Sequence, residues 1–407
     1  MKGNNINFYQ GTTNIIKTDN NKEPLEQVKE RIAEFFNMRN VHFLFGSGIS
    51  CNAIPNMQGL FDAAKEKINN CAEEELKGQF ATITSKTQNN LEEILGVLYS
   101  QKNYLDVVKE KNDNDLILCG KLIDEIETLI FEKLNVDLIN PNDEVNKVLE
   151  IYKNFYTKIA LRNKDLSRIN IFTTNNDLFN EIALDSLNIH YINGFSGGIN
   201  RFFNPALFNY TFAKRMDTSI EKFEPVENMV YLYKLHGSIN WIEDTENKNK
   251  FFKTQEISNP QKDNNNVLIF PTPIKQNKSL GSPYVELFRE FQKKLLDPHS
   301  VLFIIGYSFS DEHVNNIIYQ ALAVNSTINI VIINNVEDKD ISKNNDNRIF
   351  RIWGEVKKEN SEEGEQPPKI HFFNYIVENL LPNIDAFKQK DTSIEKFVNF
   401  YNETLSK

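Results

Sequence analysis

Cysteine is scarce in this chain of 407 residues: Cys51, Cys71 and Cys119 are the whole complement. An odd count without a CxxC pair argues against a disulfide framework and against a cysteine-built zinc site. Long apolar runs are also missing, since none reaches the ~18 residues that a membrane-spanning helix needs. The N-terminal stretch MKGNNINFYQ has no apolar segment after its charge, so no secretory signal is read there and a cytoplasmic protein is expected. Excess positive charge is absent as well. A formal net charge of −10 disfavours whole-surface binding to nucleic acid. Glycine is infrequent, with 16 residues in all.

What is present is an ordinary globular mixture, 40% apolar and 25% charged, with 30 Phe to fill a core. Residues 1–24 are Asn-rich and polar and read as an extended arm or a partly ordered tail. The stretch LEQVKERIAEFFNM (25–38) has helical spacing, and the strand 41–45 follows. A second helix is expected from about Met57, and from there to about residue 165 the apolar pattern stays helical, as an inserted all-helical module would. Strand signals return at 169–174, 189–193, 229–237, 266–273, 301–308 and 328–334, with helices at about 283–296 and 311–324. Continuous apolar strands alternating with helices predict an α/β fold, a parallel sheet covered on both faces. The stretch KIHFFN (369–374) reads as a late or edge strand and the remaining tail as helical.

Ligands of such sheets bind beyond the carboxyl ends of the strands. Four strand ends carry unusual residues. Gly46-Ser47-Gly48-Ile49-Ser50 places two of the few glycines in one turn, where backbone can approach a phosphate and a following helix N-terminus can supply N–H groups. A tight strand–helix turn would use the same residues. Thr173-Thr174-Asn175-Asn176-Asp177 can cap a helix or read a ligand. Lys234-Leu235-His236-Gly237-Ser238 holds a histidine suited either to a structural hydrogen bond or to general-base work. Gly306-Tyr307-Ser308-Phe309-Ser310-Asp311 resembles a ligand loop whose Ser310 or Asp311 also serves as an N-cap.

The order GSGIS, TTNND, KLHGS, GYSFSDEH resembles the sirtuin-like NAD-binding proteins, and within them the bacterial antiphage-defence branch. The stretches KLHGSINW and IIGYSFSDEHVNNII carry most of this likeness, with support from Ile269–Thr272 and Gly281–Phe288. The resemblance runs from about residue 38 to at least 335 and implies a Rossmann-like fold that binds NAD without a metal; the domain is read over 25–382, with a helical insertion at about 60–165, between the N-terminal arm and a C-terminal helix over 383–407. It implies that the turn of Gly46, Ser47, Gly48 and Ser50 lies against the pyrophosphate, with Thr174 on the same cofactor. Asn175 and Asp177 then match the nicotinamide-end residues and His236 the catalytic histidine. Gly306 and Ser308 match the phosphate and ribose side, and Asn334 a residue near the adenine ribose.

Two departures bear on activity. The chain cannot build the four-cysteine zinc module of protein-deacylating sirtuins. Its Ile54-Pro55-Asn56-Met57 also replaces their Pro-Asp-Phe-Arg stretch. Both favour plain hydrolysis of NAD to nicotinamide and ADP-ribose, with a non-turning-over NAD or ADP-ribose sensor and a protein deacylase as alternatives. The resemblance further implies control by assembly, by a HerA-type ATPase partner or by a phage-derived activator. The tail SIEKFVNFYNETL places Ile394, Phe397, Phe400, Tyr401 and Leu405 on one helical stripe. A closed homo-oligomer that uses the helical module or the termini is therefore expected. Light scattering on the full-length chain checks this, and a strict monomer across micromolar concentrations would refute it.

Overall fold

The computed structural model describes residues 5–17, 22–87, 89–160, 162, 165–216, 222–226, 228–244, 253–262, 266–268, 282–356 and 367–382. In chain order, strands β1 (Asn5–Gln10) and β2 (Thr13–Asn14) precede helix α1 (Pro24–Phe36) and β3 (Asn40–Phe45). Five helices follow: α2 (Met57–Asn69), α3 (Glu74–Thr84), α4 (Leu91–Val108), α5 (Asn114–Leu134) and α6 (Asp143–Ile159). Then come β4 (Ile169–Thr173), α7 (Phe179–Ser186) and β5 (His190–Ile192). Short strands β6 (Phe195–Ser196), β7 (Arg201–Phe203), β8 (Ala213–Arg215) and β9 (Phe223–Pro225) lead to β10 (Met229–Lys234). After β11 (Gly237–Glu243), β12 (Thr254–Glu256) and β13 (Asn266–Leu268) come α8 (Tyr284–Leu295), β14 (Ser300–Ile305), α9 (Glu312–Val324), β15 (Asn329–Ile333) and β16 (Ile349–Glu355).

The main sheet has nine strands in the order β2-β1-β16-β15-β14-β3-β4-β10-β5. From β16 to β5 every pairing is parallel. The expected α/β sheet is therefore present, and the N-terminal segment adds β1 to it as an antiparallel strand on β16. β3 sits at the turning point of the topology. The chain leaves β3 toward β4 on one side, and leaves β14 toward β15 on the other. Loops that diverge from adjacent strands open a crevice at their carboxyl ends, which is where ligands of such sheets bind.

The strands are apolar on both faces because both faces are covered. Val41, Phe43 and Phe45 pack with α1, α6 and α7. Leu44, Leu302 and Ile304 face the opposite layer, with α8 and α9. Aromatic rings do much of the filling: Phe43 stacks on Phe303 at 5.1 Å and meets Phe155 of α6 edge-on at 5.1 Å. Such pairs add about 0.5–1.5 kcal/mol beyond their burial.

The helical run divides into two parts. Helices α2 to α5 share their own core, with Leu60, Phe61, Leu95, Leu122 and Ile126 among its members. α6 instead belongs to the sheet's core through Val148, Tyr152 and Phe155. Asparagine opens several of these helices: Asn56, Asn90 and Asn142 each accept a backbone N–H of the first turn through the side chain. A cap of this kind contributes typically ~1 kcal/mol.

A second, five-stranded sheet has the order β13-β11-β12-β7-β6 and packs Phe195, Phe203 and the fully buried Trp241. The stretch 369–374 does not form the strand expected of it. A single bridge joins Lys369 to Glu355, and the chain then turns helical at Phe373. The cause is Phe373 itself, whose ring packs among Phe45, Tyr152 and Phe155 and draws the segment over the sheet. The stripe from Ile394 to Leu405 and the stretch Ile269–Thr272 lie outside the described residues.

One polar ladder crosses this apolar sheet. The Asn170 amide meets Nδ1 of His42 at 3.2 Å, and the Tyr233 hydroxyl donates to Asn170 Oδ1 at 3.1 Å. Burial, aided by the Lys294 charge, pushes the His42 pKa from 6.5 down to about 3. The unfolded chain therefore binds a proton at His42 below pH 6.5 that the folded chain refuses down to about pH 3. Stability from this group is complete above pH 6.5 and is lost as the pH falls through that window. We predict that His42 alone removes about 2 kcal/mol between pH 7 and pH 5, at ~1.4 kcal/mol per pH unit. Urea unfolding of the wild type and His42→Gln at both pH values checks this. An equal loss in the two proteins would refute it.

Candidate active site

The crevice is closed at its base by backbone contact between the loops after β3 and β14. Gly48 N–H donates to the Gly306 carbonyl at 2.9 Å, and Gly46 N–H to the Ile305 carbonyl at 3.1 Å. A Cβ on Gly46 would lie 2.5 Å from both Gly306 O and Tyr307 Cα. Gly306 has φ +66°, and a Cβ there would lie 2.7 Å from Ile49 N. The first demand on these glycines is thus the neighbouring loop. The helix that follows them starts at Met57, as expected, and not directly at the glycines. Ser47–Ile49 forms one 3₁₀ turn, and α2 begins only at Met57, after Pro55 and the Asn56 cap.

That turn delivers Ser50 to the crevice, where it gathers three side chains. Its hydroxyl donates to Asp177 Oδ2 at 3.2 Å and accepts from Asn175 Nδ2 at 3.3 Å. The Tyr152 hydroxyl of α6 lies 2.8 Å away. With its one proton directed to Asp177, Ser50 uses its remaining capacity on Asn175 and Tyr152. Asp177 is buried, and Oδ1 also accepts the Phe179 N–H that opens α7. Burial raises its carboxyl above the ordinary range, and the Lys234 charge partly opposes the rise. Burial likewise pushes the Tyr152 phenol well above 10, so it stays a neutral hydroxyl.

Lys234, at the end of β10, holds the 175–178 loop from beneath. Its buried ammonium pairs with Glu181 at 2.9 Å and donates to the Asp177 carbonyl at 2.5 Å and to Ser238 Oγ at 2.6 Å. Asn176 ties the same loop to the next one, donating to the carbonyls of His236 and Gly237. His236 is thereby set beside the crevice, and its Nε2 lies 2.8 Å from Asp311 Oδ2. The other oxygen of Asp311 accepts the His313 and Val314 N–H groups at the start of α9.

These elements enclose a cavity of about 580 Å³. Of the residues singled out from the sequence, Ser47, Ser50, Thr174, Asn175, Asp177, His236 and Ser308 line it. Gly46, Gly48 and Gly306 form the loop crossing behind that lining. Asn334 is not in the lining and donates to the Tyr307 carbonyl, bracing the 306–308 loop. Three contributions were not anticipated. Tyr152 comes from a helix read only for its apolar period. Asp311 was read as a cap and also holds His236. The third is the helical module, which supplies Met57, Leu60, Asn90, Ile130 and Leu134 to the wall. Among the described residues no group of three or more His, Cys, Asp or Glu could hold a metal ion, and no helix is long and apolar enough to cross a membrane.

No curated protein matches the chain. Among solved structures, a Sir2 in complex with the inhibitor EX-527, 2′-O-acetyl-ADP-ribose and a deacetylated p53 peptide is 13% identical, with 78% of this chain and 94% of that one covered and a TM-score of 0.35. A Sir2 enzyme solved for its mechanism and regulation is 12% identical over 78% and 89% of the two chains, with a TM-score of 0.36. A mutated Sir2 homologue bound to 2′-O-acetyl ADP ribose is 12% identical over 75% and 85%, with a TM-score of 0.32. The family model of the SIR2-like domain matches residues 169–350, from the first residue of β4 to the second of β16. The segment that matches this SIR2-like domain model carries Asn175, Asp177, His236 and Asp311.

Proposed function

We propose that this chain hydrolyses NAD to nicotinamide and ADP-ribose. The observation that carries the reading is the convergence of Asn175, Asp177 and His236 on one cavity, with Ser50 bridging the first two. The SIR2-like match over the same segment supports NAD as the substrate. A cavity of about 580 Å³ falls in the usual range for small-molecule sites.

The reaction breaks the bond between ribose C1′ and a cationic pyridinium, which is already a good leaving group. Positive charge grows on the ribose as the bond stretches. Asp177 suits that charge: its carboxylate is buried, so water screens it little, and its position is fixed before the reaction. Asn175, held through Ser50 and by its own N–H to Thr173 Oγ1 at 3.0 Å, would orient the ribose and the attacking water. His236 would take the proton from that water or from a ribose hydroxyl. None of these roles uses a peptide.

The resemblance of the motifs to antiphage-defence proteins extends the proposal: depletion of NAD during infection, by a homo-oligomer controlled by a HerA-type ATPase or a phage component. Nicotinamide release from NAD with no peptide present tests the central claim. Saturable binding without product would mean a sensor, and release only with an acylated peptide a deacylase.

Two substitutions follow. His236→Ala should abolish release while the fold survives, because the imidazole lies at a strand end beside the cavity. Unchanged turnover in a folded variant would remove His236 from the mechanism. Asn175→Ala should lower turnover by about 10²-fold or more, with a much smaller loss of NAD affinity. Equal losses of affinity with no further loss of rate would make Asn175 a binding residue only.

A further inference from the structure

The pairing of His236 with Asp311 was not implied by either motif alone. The two residues lie 75 positions apart, in the loops that follow β10 and β14, and the sheet brings Nε2 and Oδ2 within 2.8 Å. Both side chains are about one-tenth exposed, so the contact is largely withdrawn from water. The carboxylate is fixed from the other side by its two bonds to the start of α9. Among the described residues nothing bonds Nδ1 of the ring, and the imidazole lines the cavity.

A neutral imidazole has one N–H and one basic nitrogen, and a partner at one nitrogen decides which is which. A carboxylate only accepts, so it selects the tautomer protonated at Nε2. We propose that Asp311 is a positioning residue for His236: it holds Nε2–H and leaves Nδ1 as the basic nitrogen of the site. The proposal rests on the hydrolytic reading for its kinetic consequence. In that reaction Nδ1 takes the proton from water or ribose hydroxyl, the ring becomes an imidazolium, and Asp311 stays a carboxylate that stabilises it.

Asp311→Asn and Asp311→Ser separate this role from helix capping. Both residues are good N-caps, so both variants should fold with unfolding midpoints close to the wild type. In Asp311→Asn the side-chain oxygen keeps the cap and the NH₂ group replaces Oδ2. That NH₂ donates to an unprotonated Nε2 and forces the proton onto Nδ1. Asp311→Ser removes the partner without enforcing the wrong tautomer.

The expected result is a kcat for nicotinamide release lowered about 10²–10⁴-fold in Asp311→Asn, with a clearly smaller loss in Asp311→Ser. KM should stay within about threefold in both, since the interaction acts on the chemical step. Imidazole ¹⁵N NMR should show His236 protonated at Nε2 in the neutral wild-type ring and at Nδ1 in Asp311→Asn. Full kcat in Asp311→Asn, equal losses in the two variants, or an Nδ1–H tautomer in the wild type would each overturn the proposal. Equal losses would mean that the Asp311 charge acts on the substrate directly. Should the wild type release no nicotinamide, the hydrolytic reading fails, and the tautomer comparison by itself still decides the His236–Asp311 pairing.

Discussion

The contact between two backbone loops at the top of β3 and β14 sets everything above it. Gly46 and Gly48 on one strand end press against Gly306 on the other, at distances that leave no room for a Cβ. Two adjacent parallel strands whose chains depart in opposite directions must part at their ends. Here they part only after crossing in van der Waals contact. That crossing fixes where Ser50 emerges on one side and where Tyr307 to Asp311 run on the other. An added methyl group at any of the three glycines would separate the loops and displace both sets of residues.

Above the crossing, the site is organised by a small number of buried charges. Lys234 lies under the 175–178 loop, paired with Glu181 and bonded to the Asp177 backbone. A buried ammonium without partners would be costly, and a buried carboxylate equally so. The arrangement places one cation near two acids and meets the ammonium's remaining capacity with carbonyls and a serine. Asp177 is thereby held in a desolvated position, its carboxyl raised by burial and only partly relieved by Lys234. Such a group is poised to respond to positive charge in the cavity.

The helical module has two relations to the rest of the chain. Its own core makes α2 to α5 a unit, while α6 packs into the sheet and carries Tyr152 to Ser50. The module therefore walls the cavity with one set of side chains, and the helix that follows it braces the Ser50 turn from behind. A change in how the module sits on the sheet would act on the cavity directly.

The parallel sheet was legible in the sequence because strands buried on both faces read as continuous apolar runs, and VLFIIGYS and INIVIIN do so. Three residues of the cavity lining were legible for a related reason: Asn175, Asp177 and His236 are polar groups placed where an apolar strand has just ended. The expected strand at 369–374 failed because Phe373 answers to three rings from distant segments, which no local pattern encodes. Asp311 read as a cap because capping is a contact between neighbours in sequence, whereas its approach to His236 joins loops that follow two different strands. Local chemistry by itself thus determined which residues would stand at the carboxyl edge of the sheet. Which of them touch was decided by the tertiary structure, because the strand order, and not the chain order, sets those distances.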